Sequence, residues 1–237
     1  MKSSVKIGLA PYKFINNDVS FNLSQIEKAM KKATGKCDIL LFGEAFLQGF
    51  DSLKWKYEVD KDVAIDITNE YISILLSYNI KYKVDLGIGF LEKEDESIYS
   101  SYMIIEEGKI KYVYRRISVG WKEVSKCDFH YKEGKESKEF TYKNKTFKIA
   151  LCGDLWVFDD KFQTNGILIW PIYVNFKKEE WESEICEYAK RANLFAGKCV
   201  MVNSIDDDSL GGAFYFENGE IVKCLPFEKE DILIVEI

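Results

Sequence analysis

The sequence predicts an α/β fold, a four-layer α-β-β-α sandwich of two mixed sheets, and three observations point to it. About a dozen strand-length apolar runs alternate with three or four helical ones, more strands than a single small sheet holds. Hairpin turns join several neighbouring runs, which makes the sheets mixed rather than parallel throughout. Apolar residues make up 47% of the chain, enough for a sizeable core, and no repeat or change of composition separates one part from another. Residues 1–237 are therefore expected to form one domain, with helices on the outer faces of two packed sheets.

The first strand is expected over residues 5–10. A helix is expected over 21–33, with Asn22 as its N-cap and Gln25 three residues on, as in a capping box. Residues 38–42 read as a short apolar strand buried on both faces. Within 65–82, Ile67, Tyr71, Ile74 and Leu75 fall at helical spacing. Strands follow over 85–90, 98–106 and 109–115, the last two joined at Glu107-Gly108. Residues 118–143 are polar and read as an excursion with little regular structure. Beyond them come strands over 148–151 and 166–172 and a helix over 179–196. Strands over 200–204, 213–216, 220–225 and 232–237 close the chain, and Glu217-Asn218-Gly219 supplies a hairpin turn.

Composition narrows the chemistry. A net charge of −6 argues against a nucleic-acid partner, whose footprint would be basic. No apolar run reaches membrane-spanning length, and the first residues pass into a strand without a signal-peptide core, so a soluble, cytoplasmic protein is expected. The six cysteines include no C-x-x-C pair and lie mostly in apolar segments, as reduced thiols do, which argues against zinc. One histidine, His130, sits in the polar excursion, so a multi-histidine metal site is impossible and acid–base chemistry falls to carboxylates. No metal or cofactor is expected.

Three apolar strands end on reactive or charged side chains. Cys152 follows Lys148-Ile149-Ala150-Leu151 and precedes Gly153-Asp154-Leu155-Trp156. A thiol at such a strand tip is held in fixed geometry, and the backbone N–H groups of the turn are expected to favour its thiolate, although a cysteine there can equally be a small buried hydrophobe. Leu40-Leu41-Phe42-Gly43-Glu44 delivers a carboxylate to the edge of a buried sheet, where partial desolvation suits it to act as a base. Tyr112-Val113-Tyr114-Arg115-Arg116 brings two cations to a third strand end.

Together these segments resemble the nitrilase, or carbon–nitrogen hydrolase, superfamily over almost the whole chain. Glu44 with Gly49-Phe50 is similar to that family's Pro-Glu followed by Gly-Tyr. Tyr114-Arg115-Arg116-Ile117 is similar to its second motif, where a lysine follows Tyr-Arg, and Cys152-Gly153-Asp154-Leu155 to its Cys-Tyr-Asp-Leu. Arg191-Ala192-Asn193, Asn203, Gly211-Gly212 and Asn218-Gly219 fall where the family has Arg-Ala-x-Asn, Asn, Gly-Gly and a glycine turn.

The resemblance implies a Glu-Lys-Cys triad, with Cys152 as nucleophile, Glu44 as general base and Arg116 at the lysine position. It also implies a second glutamate after the lysine, for which Glu123 is the nearest candidate. Gly153 is expected to supply an oxyanion N–H, and Trp121 and Trp156 to line the substrate site; Trp121 can equally pack beneath its loop. The substrate class implied is a small-molecule amide, carbamoyl compound or nitrile, amides before nitriles, and the assembly implied is a homodimer. Three departures stand out: Arg116 for lysine, Gly43 for proline before Glu44, and Gly153 for the aromatic after Cys152. Lys122 is an alternative cation, reaching back from the excursion. Arginine, which holds its proton, also leaves open a non-catalytic relative that binds small molecules or serves in assembly.

Overall fold

Alternating side chains on each strand face two different layers, and this decides the architecture. In the computed structural model, which describes residues 4–237, twelve strands form two six-stranded sheets. They are β1 (Lys6–Leu9), β2 (Ile39–Leu41), β3 (Asp85–Glu94), β4 (Ser97–Glu106), β5 (Lys109–Arg115), β6 (Phe140–Tyr142), β7 (Lys145–Ile149), β8 (Ile167–Ile172), β9 (Lys198–Ile205), β10 (Leu210–Glu217), β11 (Glu220–Leu225) and β12 (Leu233–Glu236). The first sheet runs β12-β1-β2-β3-β4-β5 and the second β11-β10-β9-β8-β7-β6. In each, three parallel strands (β1-β2-β3, β7-β8-β9) are flanked by antiparallel ones, so the sheets are mixed as expected.

Ile39 and Leu41 of β2, and Tyr102 and Ile104 of β4, point between the sheets into a core shared with Phe147, Ile169 and Val202. Leu40, Met103 and Ile105 point the other way, toward helices α1 (Val19–Ala33) and α3 (Glu70–Tyr82). That double burial explains why β2 is apolar at every position. Helix α5 (Lys178–Asn193) covers the second sheet, and short helices α2 (Tyr57–Asp60) and α4 (Asp154–Val157) complete the chain. The aromatic side chains of α5 are spent inward: Trp181, Tyr188 and Phe195 beside it are buried. They therefore offer no face for a second copy.

Several local expectations are corrected. Asp18, not Asn22, caps α1, accepting a hydrogen bond from the Phe21 N–H. Asn22 lies inside the helix, fully buried, where its Nδ2 donates to the Ile15 and Leu47 carbonyls and its Oδ1 accepts from the Ile15 N–H. Asn22→Ala is expected to cost about 2–3 kcal/mol, because it strands buried backbone groups, against about 1 kcal/mol for Asp18→Ala. Urea unfolding of both variants checks this, and the reverse order would return the cap to Asn22. Helix α3 starts at Glu70 behind an Asn69 cap, because Ile65 pairs with Glu92 as an isolated bridge instead. Within the polar excursion, β6 pairs with β7 across Lys143 and Asn144, both at positive φ. No helix among the described residues is long and apolar enough to cross a membrane.

Candidate active site

Parallel strands leave their carboxyl ends open together, which is where α/β sheets build sites. Glu44 follows β2 in one sheet and Cys152 follows β7 in the other, and β5 of the first sheet runs directly into Arg116. The two sheets touch here through the backbone: the Glu44 N–H reaches the Ile172 carbonyl of β8 at 3.4 Å. A side chain at Gly43 would overlap Ser204 of β9, so this close approach explains the glycine before Glu44.

The structure brings Glu44, Arg116 and the Cys152 turn together. Glu44 and Arg116 form a buried ion pair, Nη1 to Oε1 at 2.9 Å, with side chains 0% and 2% exposed. The same Oε1 accepts the Ser100 hydroxyl at 2.9 Å, while Oε2 is buried with no hydrogen-bond partner. Arg116 also donates from Nε to the Ser118 hydroxyl at 2.8 Å, so two edges of its planar fork are fixed. Burial works against the guanidinium charge, but the Glu44 carboxylate, then Cys152 and Asp154, raise its pKa further.

Cys152 has φ 40°, the left-handed region that costs a side chain energy, and its surroundings impose it. Its N–H donates to the Pro171 carbonyl at 3.0 Å, and its own carbonyl accepts the Trp170 indole N–H at 2.9 Å. The thiol donates to the Tyr173 carbonyl at 3.5 Å. Its pKa is not lowered as the turn geometry suggested. Burial, then the Glu44 charge, push the thiol up to about 11, with the Arg116 charge pulling the other way. Desolvation outweighs the few free N–H groups of so short a turn.

Asp154 ties the Arg116 segment to the Cys152 turn, a role the sequence reading missed. One carboxylate oxygen accepts the Ile117 and Ser118 N–H groups and the other accepts the Leu151 N–H and the Tyr114 hydroxyl. Its position two residues after the thiol in Cys152-Gly153-Asp154 was the available signal. Asn203 likewise fixes the segment after Tyr173, bonding both the N–H and the carbonyl of Val174. Ser100 and Ser118 carried no pattern that a single sequence exposes.

Of the remaining expected residues, Glu123, Trp121 and Lys122 are directed away from the cluster. Glu123 is exposed and accepts only the Ser125 hydroxyl among side chains, so the structure does not bring it to the cluster. The physical reason lies on either side of it: Asp154 pins Ser118, and Trp121 is buried against Trp55 by a short 3-10 turn, which directs the following residues outward. Trp121 thus packs beneath the loop. Lys122 is paired with Glu133 and donates to the Tyr131 carbonyl, which removes it as an alternative cation. Trp156 is 45% exposed on α4, edge-on to Tyr188, whose pKa is raised by burial and then by Cys152 nearby. Gly153 follows the thiol directly and opens α4. Among the described residues no group of His, Cys, Asp and Glu is arranged to hold a metal ion.

Comparison with known proteins bears on the fold and the family. A glutamine-dependent NAD(+) synthetase of Thermotoga maritima is 24% identical over 155 residues, 64% of this chain and 26% of that protein. The chain thus spans about a quarter of that curated relative's length. Among solved structures, a CN-hydrolase superfamily protein from Xanthomonas campestris superposes with a TM-score of 0.83 at 13% identity, over 99% of this chain and 91% of that one. An amidase from Nesterenkonia sp. gives a TM-score of 0.79 at 14% identity, over 100% and 91%. At such identities these two likenesses establish the fold, the four-layer sandwich of the nitrilase superfamily. Residues 6–237 match the carbon-nitrogen hydrolase family, and the chain belongs to it.

Proposed function

We propose that the chain hydrolyses the C–N bond of a small-molecule amide through a thioester on Cys152. One observation supports this above others: Glu44 holds Arg116 with one oxygen and keeps the other buried and unpartnered in the cluster that carries the thiol turn. A carboxylate oxygen so placed is a proton acceptor in waiting.

In this reading, Glu44 Oε2 takes the thiol proton as the sulfur–carbon bond forms. The charge that develops on the carbonyl oxygen is met by Arg116 and the Gly153 N–H. The proton passes from Glu44 to the leaving nitrogen as the C–N bond breaks, and ammonia or an amine departs. Water then attacks the thioester, giving one proton to Glu44. The sulfur–carbon bond breaks as Glu44 returns that proton to the departing sulfur, and a carboxylic acid and the restored thiol result. Amides are favoured over nitriles because the relatives whose names state an activity are an amidase and a glutamine-dependent synthetase. No cofactor enters this cycle. The homodimer and cytoplasmic location belong to the same proposal, the dimer resting on Trp156, Val157 and Leu194, exposed on α4 and at the end of α5.

A second reading, a binding protein with an inert site, is favoured by the thiol pKa near 11. Ammonia release over a panel of primary amides and carbamoyl compounds, glutamine included, separates the two. The expected result is release by the wild-type protein and none by Cys152→Ala, with an acyl adduct on Cys152 in the intact mass under rapid quench. Release that survives Cys152→Ala, or no release and no adduct with any member of the panel, sinks the hydrolase reading.

A further inference from the structure

Arg116 carries a third nitrogen that neither Glu44 nor Ser118 uses. Nε is held by Ser118 and Nη1 by Glu44, while Nη2 has no acceptor among the described residues. Two glycines border Nη2. A Cβ on Gly153 would stand 2.7 Å from it, and a Cβ on Gly120 would stand 3.0 Å from it. Gly153 has φ −66° and ψ −8°, a conformation any residue adopts, so its backbone does not demand glycine. The space does.

We propose that Gly153 and Gly120 form a slot for the Arg116 Nη2, and that Gly153 is the positioning residue which lets an arginine serve as the cation of this site. The slot seats Nη2 against the peptide that follows the thiol and leaves its N–H groups unspent for an oxygen gaining negative charge. The guanidinium is planar, so it cannot yield at Nη2 alone. A methyl group at 153 would have to tilt the whole fork and strain its bonds to Glu44 and Ser118. A lysine has no Nη2, so the same methyl group should find room. The inference rests on the proposed role of Arg116 but is read out independently of it.

The test is a four-corner comparison of the wild type, Gly153→Ala, Arg116→Lys and the double variant. Gly153→Ala alone is expected to lower the melting midpoint by about 4–8 °C, as overpacking does in a chain of this size. In the Arg116→Lys background it should lower it by no more than about 2 °C, well inside the effect of a tolerated substitution. A second readout is the pH midpoint of Cys152 alkylation. It should rise in Gly153→Ala, as the cation that opposes the thiol's raised pKa is displaced, and return toward its starting value in the double variant. Gly120→Ala should shift both readouts the same way by less.

If Gly153→Ala fails to fold and the double variant folds, the slot is supported. Equal losses in both backgrounds, or a double variant that also fails to fold, overturn it. A coupled melting shift in a protein that releases no ammonia would keep the slot and remove the hydrolase reading, so the two failures are distinguishable.

Discussion

Arg116→Ala is expected to destabilise the protein by about 3–5 kcal/mol, the range seen when one partner of a buried ion pair is removed. Glu44 is fully buried, and Arg116 is its only ion-pair partner among the described residues. Without the guanidinium, the carboxylate keeps one hydrogen bond, from Ser100, and no compensating charge. The loss should not be read as the worth of the pair, since both groups gave up hydration to be there. Replacing both, as Glu44→Leu with Arg116→Met, is expected to recover most of the loss, because an apolar pair of similar volume carries no desolvation cost. Arg116→Lys should fall between, keeping the charge while giving up the Ser118 bond. Urea unfolding with an unchanged slope checks the series. A loss under about 1 kcal/mol for Arg116→Ala would mean that the pair behaves as a hydrated surface bridge.

The fold was legible because its signals are local and periodic. β2 reads as a strand buried on both faces from Ile39-Leu40-Leu41 alone, and the Glu107-Gly108 and Asn218-Gly219 turns fix two hairpins. Glu44, Arg116 and Cys152 were weak signals one by one, each a reactive or charged side chain after a strand-length run, and it was the family resemblance that grouped them. What stayed hidden depends on contacts between segments far apart in the chain. Asp154 looks like an ordinary helix-opening aspartate until Tyr114, Ile117, Ser118 and Leu151 are seen around it. The raised pKa of Cys152 is hidden likewise, because the turn's N–H groups are written in sequence and the surrounding burial is not. Glu123 was picked by distance along the chain, whereas the direction of the excursion is set by where Trp121 buries itself. Gly153 and Arg116 are separate oddities in sequence, and only space relates them.

Glu44→Gln is expected to change two properties of Cys152 in opposite directions. Turnover should fall by a factor on the order of 10²–10⁴, the usual loss when a general base is removed. The thiol, however, should become easier to ionise, because the Glu44 charge is the second largest influence, after burial, holding its pKa near 11 instead of 9.0. At pH 8 a thiol with a pKa of 11 is ionised to about one part in a thousand, so the resting protein holds almost no thiolate. A mechanism that drew on preformed thiolate would therefore speed up in Glu44→Gln, while one in which Glu44 takes the proton during attack must slow down. Iodoacetamide labelling, resolved by peptide mapping from the exposed Cys186 and Cys224, gives the thiol midpoint, and ammonia release gives turnover. The same shift has a stability consequence. A thiol whose folded pKa is raised adds stability below pH 9, and that contribution is lost as pH climbs from about 9 toward 11. Glu44→Gln should soften that alkaline loss, and Cys152→Ala should remove it at this position. If the labelling midpoint stays at about 11 in Glu44→Gln, the carboxylate does not act on the thiol, and the proton transfer assigned to it fails with it.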